Sequence, residues 1–114
     1  MGRILEFKWM YADEVKSHVW ADRVNGKVIV DCINYDDRPI YNFLGKRPKT
    51  PESIINKMRQ RCFEEARPDV QELLEMIGLR QYSPLDICIK TKGQLCGDRF
   101  WIDWIVAPEI KNPL

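Results

Sequence analysis

Apolar and polar residues alternate along the first third of the chain, which is typical of β-strands. Within residues 3–9, Leu5, Phe7 and Trp9 share one parity, whereas Ile4 and two charged residues share the other. Successive side chains of a strand point to opposite faces of its sheet. The pattern therefore predicts a strand with one better-buried face.

Two further alternating runs, Glu14–Val24 and Lys27–Asn34, flank the dipeptide Asn25-Gly26. Asn-Gly is the preferred pair for a type I′ turn, because both central residues of that turn take positive φ. The pattern therefore predicts a β-hairpin. Both faces of its arms carry apolar residues, which indicates that helices cover one face of the sheet.

After residue 37 the apolar residues follow a helical period. Asp37 is suited to cap a short helix that Gly45 stops. Thr50 and Pro51 then fit the N-cap and the first position of a helix that runs to about Phe63. The apolar stripe of this helix consists of Ile54, Ile55, Met58 and Cys62.

A second helix is predicted from about Pro68 to Ile77, where Gly78 ends it, and the two helices form a helical hairpin. The sequence 83–86, Ser-Pro-Leu-Asp, then has a serine at the N-cap, a proline at the first position and an acid three residues after the serine. It predicts a third, short helix that ends at Gly93.

The last predicted element is a strand over residues 99–106, which are mainly β-branched and aromatic. Strands first, helices next and a closing strand indicate the α+β class. We expect one domain over residues 1–107, with an N-terminal antiparallel sheet that contains the β-hairpin, a central helical hairpin with short helices, and a closing C-terminal strand. Residues 108–114 are expected to form a loose tail.

The composition is that of an ordinary globular protein. The 114 residues are 45% hydrophobic and 31% charged, and the net charge is +1, which excludes disordered, coiled-coil and collagen-like classes. The chain has neither an apolar run of the roughly 18 residues that a membrane helix needs nor the pattern of a signal peptide. Its four cysteines include no C-x-x-C pair and are expected to be reduced, and Cys32, Cys62 and Cys88 fall on apolar strand or helix positions that predict buried thiols. We therefore expect a cytoplasmic protein.

Residues that could carry catalysis or hold a metal are few. His18 is the only histidine, and we expect it to be exposed on a strand or bonded to a neighbour. The glycines form no phosphate-binding loop, and no G-x-S-x-G sequence occurs. Asp98 is the acid best placed to hold Mg²⁺ in a metal-dependent nuclease, but a turn role, bonding its own backbone two residues on, is simpler. The sequence thus predicts no catalytic residue, no metal and no cofactor.

Positive charge is concentrated between residues 46 and 61. These sixteen residues carry a net charge of +5, although the whole chain carries only +1. The six cations are Lys46, Arg47, Lys49, Lys57, Arg59 and Arg61. Such segregation can neutralise phosphates or steer an acidic protein surface. The alternatives are a merely solvated helix edge and, for Arg61 and Arg67, bonding to helix-end carbonyls or nearby acids.

All four tryptophans fall on predicted strands. Trp101 and Trp104 have opposite parity, so an ordinary strand sends one inward and the other to the opposite face. An outward tryptophan can anchor a protein interface or stack on the bases of a single-stranded nucleic acid. The candidates for a partner-binding anchor are Trp20 and Trp104, and core packing is the alternative for each.

The second half of the chain contains a recognisable order of features. Two arginines come first, then an apolar helix that ends in Gly-Leu, and then an aspartate before an aromatic-Trp-Ile strand. They are Arg61, Arg67, Gly78-Leu79, Asp98 and Phe100-Trp101-Ile102. This order resembles a small-protein family found in mobile elements of Firmicutes, and residues 9–15 resemble the opening of that family. It is also similar to a module that precedes the kinase domain in some HipA-like proteins, although the kinase domain itself is absent here. The resemblance implies an accessory protein of a phage or plasmid.

These observations predict a non-enzymatic binding protein of a mobile element that acts on a host macromolecule. Its partner is expected to be a host protein or nucleoprotein complex, and inhibition of a bacterial defence system, as by an anti-CRISPR protein, is a specialised form of this function. The alternative is a nucleic-acid-binding accessory or regulatory protein that uses the basic stretch 46–61. A monomer and a homodimer are both consistent with the sequence, and no membrane partner is expected.

Overall fold

Four antiparallel strands form one sheet in the computed structural model, which describes residues 2–114. The strands are β1 (Gly2–Tyr11), β2 (Glu14–Val24), β3 (Lys27–Asn34) and β4 (Phe100–Val106). Their order across the sheet is β3-β2-β1-β4, so the closing strand pairs with the N-terminal one. The predicted hairpin at Asn25-Gly26 is present, and both of these residues have positive φ.

One face of the sheet carries the main core. Phe7 lies between Val19 of β2 and Trp104 of β4, and Trp9 lies between Ser17 and Ile102. Phe7, Val19 and Ile102 are fully buried, and Trp9 is almost fully buried. Two of the three helices, together with Phe43 and Leu44, pack against this face. The alternation of residues 3–9 therefore predicts the buried face correctly.

Three short helices follow the sheet strands: α1 (Pro51–Arg59), α2 (Val70–Met76) and α3 (Pro84–Thr91). The predicted caps of α1 and α3 are confirmed, because Thr50 accepts a hydrogen bond from the backbone N–H of Ser53 and Ser83 accepts one from that of Asp86. The short helix predicted after Asp37 is reduced to a single 3-10 turn at Pro39–Tyr41, which Asp37 does not cap.

The α+β class is confirmed, but the helices pair differently from the predicted hairpin. α1 ends at Arg59 rather than near Phe63 and packs against α3 instead of α2. α2 belongs to a second, smaller core cluster in which Leu74, Leu79 and Ile87 are buried together. The two helices diverge because residues 60–69 form turns, beginning where Arg61 leaves the helix.

The C-terminal residues 108–114 correct the expectation of a loose tail. The backbone N–H of Arg80 donates to the carbonyl of Asn112, and that of Leu114 donates to the carbonyl of Gly78. Ile110 packs against the second core cluster. The tail therefore forms backbone hydrogen bonds with the segment after α2 and also packs against its apolar surface.

The four cysteines are free thiols with different surroundings. Cys88 is buried, as predicted, whereas Cys32 and Cys62 are only half-buried and Cys96 is exposed. The Sγ atoms of Cys62 and Cys88 lie 3.9 Å apart. The hydrogen bond with the Cys62 thiol, followed by burial, raises the pKa of Cys88. Among residues 2–114, no helix has the length and apolar character to cross a membrane.

Gly93 tests the packing of β4 against the end of α3. A Cβ atom at this position would lie 2.9 Å from Cδ1 of Ile102, and the residue has φ of +64°. Gly45 has nearly the same φ, +60°, but its Cβ would meet the closest atom at 3.5 Å. We expect Gly45→Ala to lower the free energy of unfolding by about 1 kcal/mol, because alanine is strained in the left-handed region. Gly93→Ala should lower it by about 1–3 kcal/mol more, because the added methyl group overpacks the core. Urea unfolding measures both, and equal losses would contradict the close packing at Gly93.

Candidate functional site

The sheet face opposite the helices is the first candidate surface, which we call the open face. The strand register places Trp20 between Glu6 and Asp31, and Trp101 beside Met10. Ile29, Ile33 and Ile105 share this face, and between 46% and 52% of each remains exposed. The open face is therefore defined by two tryptophans and three isoleucines: Trp20, Trp101, Ile29, Ile33 and Ile105. Charged residues of β1, β2 and β4 lie between them.

Trp20 is half-buried and is held in place by polar neighbours. The His18 ring meets it edge-on at 5.1 Å, and the Arg3 guanidinium lies 5.6 Å from its ring centroid. His18 Nε2 is 2.6 Å from a carboxylate oxygen of Glu6, which confirms the expectation that His18 is bonded to a neighbour. The hydrogen bond from His18, followed by that from Arg3, lowers the pKa of Glu6. The contacts with His18 and Arg3 restrict the indole ring of Trp20, which stays partly exposed.

Trp104 occupies a different position from the one predicted for a partner-binding anchor. It lies on the helix-covered face, where its ring packs 5.2 Å from that of Phe7. Its indole N–H donates to the carbonyl of Cys88 at 3.1 Å. Trp104 is thus a packing residue between β4 and α3. Trp101 takes the opposite face, as its parity predicts, and its indole N–H donates to the carbonyl of Ala12 at 2.8 Å.

Arg61 corrects the interpretation of the basic stretch as a uniform surface. Its side chain is buried, and its Nε donates to the carbonyl of Gly93 at 2.9 Å. Its two terminal nitrogens bind both carboxylate oxygens of Asp98, at 2.7 and 2.9 Å, and one also donates to the carbonyl of Phe100. A guanidinium that is saturated in this way is not free for a partner.

Asp98 is part of the same structural cluster. Besides binding Arg61, its carboxylate accepts the backbone N–H of Phe100 at 3.1 Å, which is the turn role expected from the sequence. The hydrogen bonds from Arg61 are the largest cause of the lowered pKa of Asp98. Asp98 therefore stays ionised and is committed to this ion pair.

Among residues 2–114, no three His, Cys, Asp or Glu side chains group so as to hold a metal ion.

Two more of the six predicted cations have carboxylate partners. Lys49 Nζ lies 2.9 Å from Asp31, and Arg59 lies 3.6 Å from Glu65. Both pairs are solvent-exposed, so each contributes little to stability. Each nonetheless places a carboxylate beside the cation and so reduces the local positive potential.

The other three cations, Lys46, Arg47 and Lys57, line one shallow depression. Its volume is about 540 Å³, and its walls include the 3-10 turn and residues 42–45. Lys57 is half-buried, with Nζ 5.3 Å from the Trp9 ring centroid. Burial, followed by the positive charges of Arg47 and Arg61, lowers the pKa of Lys57. We call this group, together with the buried side chain of Asn42, the cationic depression.

Several of these features were not identified from the sequence. Parity separates Trp101 from Trp104, but the register of β4 with β1, in which Trp104 pairs with the buried Phe7, is needed to place Trp101 on the open face. Asn42 carries no sequence signal, since its burial depends on the packing of its neighbour Phe43 against Phe7 and Trp9. The partner of Arg61 lies 37 residues away in the sequence, so spacing alone does not reveal it.

Comparison of the chain with known proteins gives no relative. No protein-family model matches it, and no curated protein or solved structure shows significant similarity. The function therefore has to be inferred from the open face and the cationic depression themselves.

The Arg61–Asp98 pair yields a stability prediction. Arg61→Met leaves the Asp98 carboxylate and two carbonyls without their donor. We therefore expect the free energy of unfolding to fall by about 2–3 kcal/mol. This is less than the full cost of breaking a buried ion pair, because Asp98 is partly exposed. The matched control is Arg67→Met, which breaks the exposed pair with Asp69 and is expected to cost at most about 0.5 kcal/mol. Chemical unfolding at pH 7 measures both, and equal losses would contradict the structural role of Arg61.

The same pair predicts an acid dependence. Because the pKa of Asp98 is lower in the folded protein than its ordinary value, the ion pair stabilises the fold above that ordinary value and ceases to do so as pH falls through the lowered one. The difference in unfolding free energy between the wild type and Arg61→Met should therefore shrink as pH falls below about 4. A difference that stays constant down to about pH 2 would show that Asp98 ionisation plays no part.

Proposed function

We propose that the protein acts by binding a protein of the bacterial host rather than by catalysis, and that the open face is its contact surface. The observation that carries the proposal is the uncovered sheet face itself. It combines the ordered indole of Trp20 with three half-exposed isoleucines that no other part of residues 2–114 covers. Large exposed apolar side chains gathered on one surface are typical of interaction sites.

The chemistry of the open face favours a protein partner over a nucleic acid. A tryptophan whose rotamer is held by neighbours is a typical interface anchor, because little conformational entropy is lost when it is buried. Strand parity also places the carboxylates of Glu6, Asp22 and Asp103 on this face beside Arg3, Lys8 and His18, so the face offers no excess of positive charge to a phosphate backbone. Paired charges around an apolar centre instead resemble the rim of a protein interface.

The resemblance to mobile-element proteins supplies the biological setting of the proposal. We infer an accessory protein of a phage or plasmid that works in the bacterial cytoplasm. Inhibition of a host defence system, including a nucleic-acid-guided nuclease as anti-CRISPR proteins inhibit, is the specialised form that we favour. Direct nucleic-acid binding through residues 46–61 is less well supported, because Lys49, Arg59 and Arg61 already have carboxylate partners.

The test is capture of partners from a bacterial lysate by the tagged protein, with and without nuclease, followed by affinity measurement with the purified partner. We expect a stoichiometric protein that survives nuclease. Ile33→Lys and Trp20→Ser should weaken its binding by about tenfold or more, as for a central interface residue. Met76→Lys is the matched control, since it adds the same charge at an 81% exposed apolar residue on α2, outside the sheet.

Two results would contradict the proposal. One is recovery of mainly nucleic acid, or loss of every partner after nuclease treatment, which would favour the basic residues instead. The other is a partner whose affinity falls equally for Ile33→Lys and Met76→Lys, because the open face would then not be the contact surface. Circular dichroism of each variant establishes that the fold is retained.

A further inference from the structure

The cationic depression gathers positive charge without any compensating acid. Lys46 and Arg47 reach it from the loop after the 3-10 turn, and Lys57 reaches it from the middle of α1. Within the part of the chain that the structure describes, none of the residues that line it is acidic, and none of these three cations forms a salt bridge. The remaining cations of the basic stretch all have carboxylate partners, so this group differs from its surroundings.

Lys57 is the least favourably placed of the three cations. Its ammonium group is partly desolvated and lies near the positive charges of Arg47 and Arg61. The one carboxylate with an attractive effect on Lys57 belongs to Asp98, and Arg61 binds both oxygens of that group. A half-buried cation with such neighbours is stabilised by an anion that enters the depression.

Asn42 is a second, independent indication of a ligand. The residue is only 8% exposed and lines the depression, and its side-chain Oδ1 is buried without a hydrogen-bond partner. An unpaired buried polar group costs about 1–3 kcal/mol. An anion accepts hydrogen bonds, so Asn42 can serve it only through its NH₂ group, which a 180° rotation of the amide exchanges with Oδ1.

We propose that the cationic depression binds a phosphate monoester, such as the terminal phosphate of a nucleotide. A monoester carries up to two negative charges on one group, which matches three cations that converge on one place. A strand of phosphodiesters would instead need cations spaced along a track, and the paired states of Lys49 and Arg59 interrupt such a track. Ile40 and Pro39 provide an apolar wall beside the cations for the organic part of the ester.

This site is separate from the proposed protein interface. Phe43, next to Asn42, packs on Phe7 and Trp9, which lie on the helix-covered side of the sheet. The open face lies on the other side, so loss of one activity leaves the other measurable.

The test is titration of the full chain with inorganic phosphate, adenosine 5′-monophosphate and adenosine, followed by amide chemical shifts and calorimetry. We expect saturable binding of the monophosphate, weaker binding of inorganic phosphate, and shifts centred on residues 42–47 and 57. Adenosine should not bind. Binding of adenosine as strong as that of the monophosphate would overturn the proposal, as would the absence of saturable binding of both phosphates.

Two substitutions locate the site. Lys57→Met keeps the aliphatic stem beside Trp9 and should weaken binding of the monophosphate about tenfold, the loss expected for one charge-assisted hydrogen bond. Arg59→Gln is the matched control, because it removes one positive charge from the same helix at an exposed residue, and it should change the affinity less than about twofold. If both substitutions weakened monophosphate binding equally, the binding would reflect overall charge and the proposed site would be wrong.

Asn42→Leu separates binding from folding. Removal of an unpaired buried amide should leave the midpoint of thermal unfolding unchanged or raise it, whereas monophosphate affinity should fall about fivefold. A lower unfolding midpoint with unchanged affinity would assign Asn42 to the fold alone and remove it from the site.

The source of the phosphate is distinguished with single-stranded oligonucleotides. Binding of a 5′-phosphorylated strand, but not of the same strand without that phosphate, identifies the phosphorylated end of a nucleic acid as a ligand. Binding of adenosine 5′-monophosphate with neither strand identifies a free nucleotide. Equal binding of both strands would mean recognition of phosphodiesters and would overturn the monoester proposal.

Discussion

The buried guanidinium of Arg61 joins the turn after α1 to residues 93–100, which lie at least 32 positions later in the sequence. It binds the end of α3 through the carbonyl of Gly93, the turn before β4 through Asp98, and the first residue of β4 through the carbonyl of Phe100. These contacts determine where the closing strand meets β1, and the Phe100 ring accordingly stacks on Trp9 at 5.0 Å. The same Trp9 ring supports Lys57. Both candidate surfaces therefore depend on this one cluster: the open face through β4, and the cationic depression through Trp9.

Local chemistry made much of the fold predictable. The Asn25-Gly26 turn and the serine and threonine caps depend on residues within a few positions of one another, and each is found where the sequence places it. The alternation of Leu5, Phe7 and Trp9 likewise identified the buried side of the sheet. In these cases backbone conformation and side-chain burial follow from short-range patterns, which the sequence displays directly.

Long-range contacts were not predictable in the same way. The pairing of α1 with α3 depends on the turn that Arg61 makes to reach Asp98, and the docking of the C-terminal tail depends on the unpaired backbone after α2. Trp104 shows the same difficulty at a candidate site, since parity alone separates it from Trp101 but does not tell which of the two faces inward. The register with β1, where Trp104 pairs with the buried Phe7, decides that question.

A cluster of cations in a sequence states how much charge is present but not how much of it acts on a ligand. In this chain Arg61 is neutralised inside the fold and Lys49 and Arg59 at its surface, so the field that a partner meets comes mainly from Lys46, Arg47 and Lys57. Partial burial strengthens that field, because fewer water molecules screen it. A charge of +5 spread over sixteen residues is thereby reduced to three cations around one depression, on the side of the sheet opposite the open face.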